Sequence, residues 1–295
     1  MVQRLFSGRG AAEFLERVTP GGIRALKPYH STLTCLMKED ESGGIVDDMI
    51  VTRLEGDEYY VVTNAACREK DDAYFDEQVE KWNGVKMEGR LSEPLIISRG
   101  GYTGEDGFEI SMAGEDTVGV TEALLAAGPE KVQLAGLGAR DSLRLEAGMC
   151  LYGHDLDETT TPVEAGLSWI IPKERRNEAA QFYGAKNIAG QLVAKSKGGK
   201  GVDRRRVGLI VEGAPAREGA EIVSRAEDGK ESVSLGKITS GCPSPSLGRN
   251  IAMGYIKDGF HKAGTEVDVL VRGRPRKAVI AKMPFVPTKY YKGEA

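Results

Sequence analysis

Residues 31–65 read STLTCLMKEDESGGIVDDMIVTRLEGDEYYVVTNA, and how this stretch folds decides the class of the first part of the chain. Three runs rich in β-branched and aromatic residues are separated by Glu41-Ser42-Gly43-Gly44 and Glu55-Gly56-Asp57-Glu58. That pattern predicts a meander of antiparallel strands. The middle run, GGIVDDMIVT (43–52), sets two carboxylates inside an apolar strand. Asp is a poor strand former, and an unpaired buried carboxylate is costly or gives up its charge. Alternation puts Ile45, Asp47, Met49 and Val51 on one face and Val46, Asp48 and Ile50 on the other. The two aspartates are therefore expected in different surroundings, one at solvent or capping a neighbour, the other aimed into a pocket. A pair of satisfied or edge-strand carboxylates is the competing reading.

Outward from this meander, AAEFLERV (11–18) and CREKDDAYFDEQVEKW (67–82) have the spacing of amphipathic helices, the second with Tyr74, Phe75, Val79 and Trp82 toward a core. LIISRGGYTGEDGFEISM (95–112) reads as strand, glycine turn, strand. GVTEALLAAG (119–128) and GLGARDSLRLEAGMCL (136–151) read as helices. In TTTPVEAGLSWII (159–171), Thr161, Pro162 and Glu164 form a capping box and predict a helix start. AKSKGGKGVDRRR (194–206) has no apolar periodicity and reads as a linker. Beyond it RVGLIVEG, AEIVSRA, SLGKITSG, NIAMGYI, EVDVLVRG and RKAVIAKMPFV are short strands with glycine turns, the pattern of a small β-barrel or sandwich. The expected architecture is α+β followed by all-β, with domains over 1–203 and 204–295.

Composition narrows the function classes. The 295 residues are 40% hydrophobic, enough for one large or two modest domains with cores of their own. Forty basic against forty-four acidic residues leave a net charge of −4, so no general affinity for nucleic acid is expected. The four cysteines lie far apart, which argues against disulfides and a structural zinc site and for a reducing compartment. His30, His154 and His261 lack ligand spacing, so no metal is expected. No apolar run approaches the ~20 residues that span a bilayer, and the first residues lack a secretory signal.

Several polar side chains stand out. Glu109 alternates with Phe108 and Ile110 on a strand. It could accept two bonds from paired N–H donors, such as those of a pterin or a guanidinium, and plain solvent exposure is the alternative. Arg140 lies early in a helix after two glycines, where an anion could be met; ion pairing on the helix surface, with Arg144, Asp141 and Glu146 nearby, is the alternative. In TSGCPSPSLGRNIAMGY (239–255), Cys242 reads as a packing thiol, because nothing adjacent lowers its pKa. The cluster Arg204-Arg205-Arg206 reads as a solvated linker, with phosphate binding the lesser alternative.

Together GGIVDDMIVT, YYVVTNA, GGYTGEDGFEIS, LAGLGARDSLRLEAGMCLYGHDLDETTTPVEAGLSW, RRRVGLIVEGAPAR, TSGCPSPSLGRNIAMGYI and KMPFVPTKYY resemble the glycine cleavage system T proteins, the tetrahydrofolate-dependent aminomethyltransferases, in their eukaryotic mitochondrial wording. The resemblance runs through nearly the whole chain in family order. It implies a three-domain cloverleaf around a folate hole, ending in an antiparallel β-barrel. It also implies transfer of a one-carbon unit from the aminomethyl-dihydrolipoyl arm of the H protein to tetrahydrofolate, with release of ammonia, in the mitochondrial matrix. It makes Asp48 the catalytic carboxylate, Asn64, Glu109 and Arg140 folate or substrate contacts, Tyr290 a tyrosine near the site, and Tyr102 a lining residue. Family members carry residues before Met1, including a D-V-S-H-M motif, and a long segment between KMEGRLSEPL and IISRGGYTGEDG. Their absence here is expected to expose apolar partners and strand edges. The alternative functions are a folate binder of the same fold without transfer chemistry, of the iron–sulfur assembly type, or an inactive truncated form.

Overall fold

The computed structural model describes residues 1–88, 95–225, 232–291 and 293. The first elements are β1 (Val2–Ser7), α1 (Ala11–Val18), β2 (Ser31–Met37), β3 (Ile45–Arg53), β4 (Glu58–Thr63), α2 (Arg68–Glu80) and β5 (Lys86–Glu88). There follow β6 (Leu95–Arg99), β7 (Phe108–Met112), α3 (Thr117–Leu125), α4 (Leu137–Glu146) and α5 (Ala185–Leu192). The chain closes with β8 (Arg204–Val211), β9 (Glu221–Val223), β10 (Ser234–Ser244), β11 (Arg249–Lys257), β12 (Glu266–Val271) and β13 (Arg274–Ala281). Contacts group Met1–Arg90 with Leu151–Arg206 as one unit and Leu91–Cys150 with Val207–Ala295 as another.

In the first unit the meander forms as its alternation dictates. The strands make an antiparallel sheet in the order β2-β3-β4-β1-β5. On α1 the spacing of Ala11, Phe14, Leu15 and Val18 gives one apolar face, and all four are buried. Phe6 of β1 stacks on Phe14 with ring centroids 5.7 Å apart and meets Phe75 of α2 edge-on at 5.1 Å. Burying each such ring contributes about 2–3 kcal/mol. Arg4 on β1 is also buried; its guanidinium donates to Asp72 at 2.9 and 2.5 Å and to Thr63 Oγ1 at 2.8 Å.

Two features set the course of β3. Gly44 passes so close to the loop carrying Glu158 that a Cβ there would lie 2.0 Å from the Glu158 carbonyl oxygen, which explains a glycine before the strand. Next, Leu36 pairs with Asp47 but Met37 pairs with Ile45, so Val46 is an extra residue and the strand bulges just ahead of the aspartates.

The capping box closes as expected, with the Thr161 N–H donating to Glu164 at 2.9 Å and the Glu164 N–H to Thr161 Oγ1 at 3.2 Å. No helix follows. Residues 162–166 form a single turn, and Gly166, at φ 69°, takes the left-handed conformation that ends it. The expected linker is likewise not a free arm at its end. Arg204–Arg206 open β8, where Arg204 donates to Thr159 and Thr160 oxygens and to Glu164, and Arg206 donates to the Ala165 carbonyl.

In the second unit β8–β13 close a barrel in the order β10-β11-β8-β13-β12-β9. Its interior is the alternating apolar set, including Leu209, Ile222, Ile238, Ala252, Val267 and Ile280. Helix α4 is fastened to β10 by Arg144, which reaches Ser240 Oγ at 2.9 Å, and by Glu146, which accepts from Ser244 Oγ at 2.5 Å, Ser246 Oγ at 2.7 Å and the Ser246 N–H at 3.0 Å. Cys242 packs beside Leu145, Ile251 and Met253, and burial pushes its thiol pKa up. Strands β6 and β7 form a separate two-stranded sheet whose Leu95, Ile97 and Phe108 are exposed, and α3 buries none of its residues. The junction at which the resemblance marks a missing segment, between Leu95 and Ile96, falls at the start of β6, directly after residues 89–94, which lie outside the described residues. Among those described, no helix is long and apolar enough to cross a membrane.

Candidate functional site

The first unit assembles its polar centre from strand register. Ile50 pairs with Val62, so the same register continued two residues sets Asp48 opposite Asn64, just past the end of β4. There the Asn64 side-chain amide donates to Asp48 Oδ1 at 2.9 Å and to Asp47 Oδ1 at 2.8 Å, while the Asn64 backbone N–H donates to Asp47 Oδ2 at 3.0 Å. The expectation that the two aspartates occupy separate surroundings is thus corrected. One amide spans both, since the bulge at Val46 twists the strand and a side-chain amide carries two donors. Asp47 is the fully buried member, and it caps the backbone of the neighbouring strand. Asp48 keeps some exposure.

Electrostatics set Asp48 apart. Burial pushes its carboxyl up to about 6, the Asp47 charge adds to the rise, and the Asn64 bond opposes it. A carboxylate near that value is ionised at neutral pH yet close enough to its pKa to take a proton, the property that general-base work needs. Around it, Lys70 of α2 donates to the Val46 carbonyl and to Tyr152 Oη, the latter at 2.7 Å, with its ammonium 4.3 Å from the Tyr152 ring centroid. Cys67 lies in the same polar group, and burial pushes its thiol up to about 11.

The second unit carries the other residues picked out by sequence. The Tyr102 hydroxyl donates to the Cys150 carbonyl, and the Arg140 guanidinium lies over the Tyr102 ring, 4.6 Å from its centroid. Tyr290 Oη accepts from the Gly104 N–H at 3.1 Å, so Tyr290 binds the turn that follows Tyr102. Arg140 is exposed, but its backbone N–H is already bonded to the Gly136 carbonyl, so the expected joint use of side chain and free backbone donors does not arise. Arg144, expected to share its face, is instead buried against Ser240 and Asp141. Glu109 is exposed on β7 beside its cross-strand partner Ser98. The structure thus brings Asp48 and Asn64 together in one unit and Tyr102, Arg140 and Tyr290 together in the other.

Sequence reading singles out Asp47 without its bond to Asn64, and it misses Lys70, Asp71 and Tyr152. REKDD looked like a charged helix face, and Tyr152 sat inside a long motif with no partner in view. One signal was present: Asp71 falls at helical spacing from the apolar Phe75, which puts a carboxylate on the buried face. Among the described residues, no group of three or more His, Cys, Asp or Glu side chains is arranged to hold a metal ion.

Comparison with known proteins bears on the whole chain. The GCVT N-terminal domain model matches residues 1–93 and 91–175, and the glycine cleavage T-protein C-terminal barrel domain model matches 204–287. A probable mitochondrial aminomethyltransferase of Schizosaccharomyces pombe is 44% identical over 331 aligned residues, spanning 99% of this chain and 81% of that protein. A mitochondrial aminomethyltransferase of Mesembryanthemum crystallinum is 42% identical, over 97% of this chain and 77% of its own length. The crystal structure of glycine cleavage system aminomethyltransferase T from Bartonella henselae superposes with a TM-score of 0.86 at 33% identity, covering 99% of this chain and 85% of that one. The aligned length exceeds the 295 residues present, and the N-terminal model matches in two stretches that overlap at 91–93.

Proposed function

The chain belongs to the glycine cleavage T-protein family and is an aminomethyltransferase of the glycine cleavage system, and from that premise we propose that Asp48 is its catalytic carboxylate. The observation that carries this is the Asp48 carboxyl, raised toward neutrality and held by Asn64 at 2.9 Å. The donor is the aminomethyl group on the dihydrolipoyl arm of the H protein, and the acceptor is tetrahydrofolate. Ammonia leaves as the C–N bond breaks, the C–S bond then breaks to leave the dihydrolipoyl thiol on the H protein, and the carbon ends between two folate nitrogens, whose two displaced protons end on the ammonia and on the thiol.

Asp48 takes the proton that an attacking folate amine must lose, and its charge stabilises the positive charge that develops on the carbon as the leaving group departs. Asn64 holds Asp48 Oδ1 in one orientation, which keeps the basic oxygen from turning away. Glu109, exposed on a strand, fits the paired donors of a pterin, because a carboxylate accepts two parallel N–H bonds. Arg140, held over the Tyr102 ring and exposed, fits an anionic part of the substrate. Tyr290 fixes the turn carrying Tyr102. Glu109, Arg140 and Tyr102 fit parts of tetrahydrofolate in chemistry: an exposed carboxylate, an exposed cation and an aromatic ring. The relatives' names support mitochondrial placement, in the matrix where the H protein would be met.

Incubation with tetrahydrofolate and aminomethyl-loaded H protein should release ammonia, and omitting tetrahydrofolate should slow the release strongly. The alignment of 331 residues against a chain of 295 leaves part of the relatives' length without a counterpart here, and the second reading is a folate binder of this fold without transfer. Heat of tetrahydrofolate binding without ammonia release would select that reading, and release would exclude it.

A further inference from the structure

Behind Asp47 lies a second buried carboxylate that the transfer reading does not use. Asp71, on α2, is fully buried and neither of its oxygens accepts an N–H bond; the Thr63 hydroxyl is the neighbouring donor that opposes its protonation. Its side chain meets that of Asp47, which is also fully buried. Two adjoining carboxylates in an apolar setting cannot both be ionised, because each loses its hydration and each repels the other. Hydrogen bonding decides which one keeps the proton. Both Asp47 oxygens already accept N–H bonds from Asn64, at 2.8 and 3.0 Å, and such bonds favour the charged form. Asp71 has no such donors.

We propose that Asp71 is a neutral acid whose O–H donates to Asp47, and that this proton-sharing pair is the positioning device for Asn64 and, through it, for Asp48. The role rests on the transferase reading, since it acts through the residue placed there as the catalyst. The surroundings agree. Arg4 from β1 and Thr63 from β4 are the groups opposing the proton, while Asp48 on β3 and Cys67, Lys70 and Asp72 around the start of α2 complete the charged or titratable neighbours. Burial and the Asp47 carboxylate together push the Asp71 carboxyl up to about 8. The Asn64 amide is then fixed from behind: Asp71 donates to Asp47, Asp47 accepts from Asn64, and the remaining amide hydrogen is left for Asp48.

The test is an infrared spectrum of the full chain with isotope-labelled aspartate, recorded near neutral pH. A carbonyl stretch of a protonated carboxylic acid should appear in the wild type, vanish in Asp71→Asn and persist in Asp48→Asn. No such band, or one that survives Asp71→Asn, overturns the proposal. The pH profile gives the second readout. Ammonia release by the wild type should decline as pH rises through about 8. Asp71→Asn, whose amide keeps a donor toward Asp47, should lose that decline while staying within about threefold of wild type near neutrality, and Asp71→Val should lower kcat about tenfold with little change in the KM for tetrahydrofolate. An unchanged alkaline limb in Asp71→Asn would also overturn the proposal. A wild type that releases no ammonia would sink the transferase reading, while the infrared band would still decide where the proton sits.

Discussion

Removing the Glu146 carboxylate should unfasten α4 from the barrel strand β10. Glu146 is 3% exposed and accepts three bonds, two from the hydroxyls of Ser244 and Ser246 and one from the Ser246 N–H. In Glu146→Ala these donors lose their acceptor in a site with little water. Each bond to a charged group is worth about 1.5–3 kcal/mol, and the values do not add fully because the hydroxyls can turn. A loss of about 3–5 kcal/mol follows, the range for uncoupling a buried charged group from its partners. Glu146→Gln keeps one carbonyl acceptor and should lose about half as much. Acid supplies a second handle. Burial alone would raise the Glu146 carboxyl, but the bonds from Ser244 and Ser246 outweigh it and hold its pKa below the ordinary value of 4.5. Its stabilisation is therefore present above the unfolded value and is lost as pH falls through the folded one. Urea unfolding of both variants at neutral and acid pH measures the gap. A Glu146→Ala variant within about 1 kcal/mol of wild type at neutral pH, or a gap that does not narrow in acid, would refute the reasoning.

Three other outcomes can be checked. In the proposed role Asp48 acts as the ionised carboxylate, and its carboxyl is pushed up to about 6, so ammonia release should fall with an apparent pKa of about 6 as pH is lowered, and Asp48→Asn should abolish that inflection. Gly44→Ala would put a Cβ 2.0 Å from the Glu158 carbonyl oxygen, so the backbone must move and urea unfolding should show a loss of about 3 kcal/mol. Asp72→Ala should destabilise more than Arg4→Met. The first strands a guanidinium that is 2% exposed, costing about 3–5 kcal/mol, whereas the second frees a carboxylate that is 47% exposed and can rehydrate.

The fold was legible where one periodicity ruled. The alternation in 31–63 and 204–281 gave the meander and the barrel, and the 3.6-residue spacing of Phe14, Leu15 and Val18 gave α1. Thr161–Glu164 shows where local signals stop: the capping box closes, but the left-handed Gly166 ends the turn before a helix can propagate. The candidate site was half legible. Asp48 drew notice because a carboxylate in a strand is unusual, and Asn64 came only through family resemblance. Asp71 and Lys70 were hidden because a charged residue on a charged helix looks alike whether it faces water or a neighbouring strand. The meeting of Asp47 and Asp48 at one amide was not readable at all, since it depends on a bulge and on where β4 ends.

The most direct measurement is the single-turnover rate of ammonia release from aminomethyl-loaded H protein by Asp48→Asn, with tetrahydrofolate binding measured by calorimetry on the same sample. A transfer rate lower by about a hundredfold or more, with binding close to wild type, is predicted for loss of a charge that acts on the reacting atoms. Wild-type turnover by the uncharged variant would contradict it.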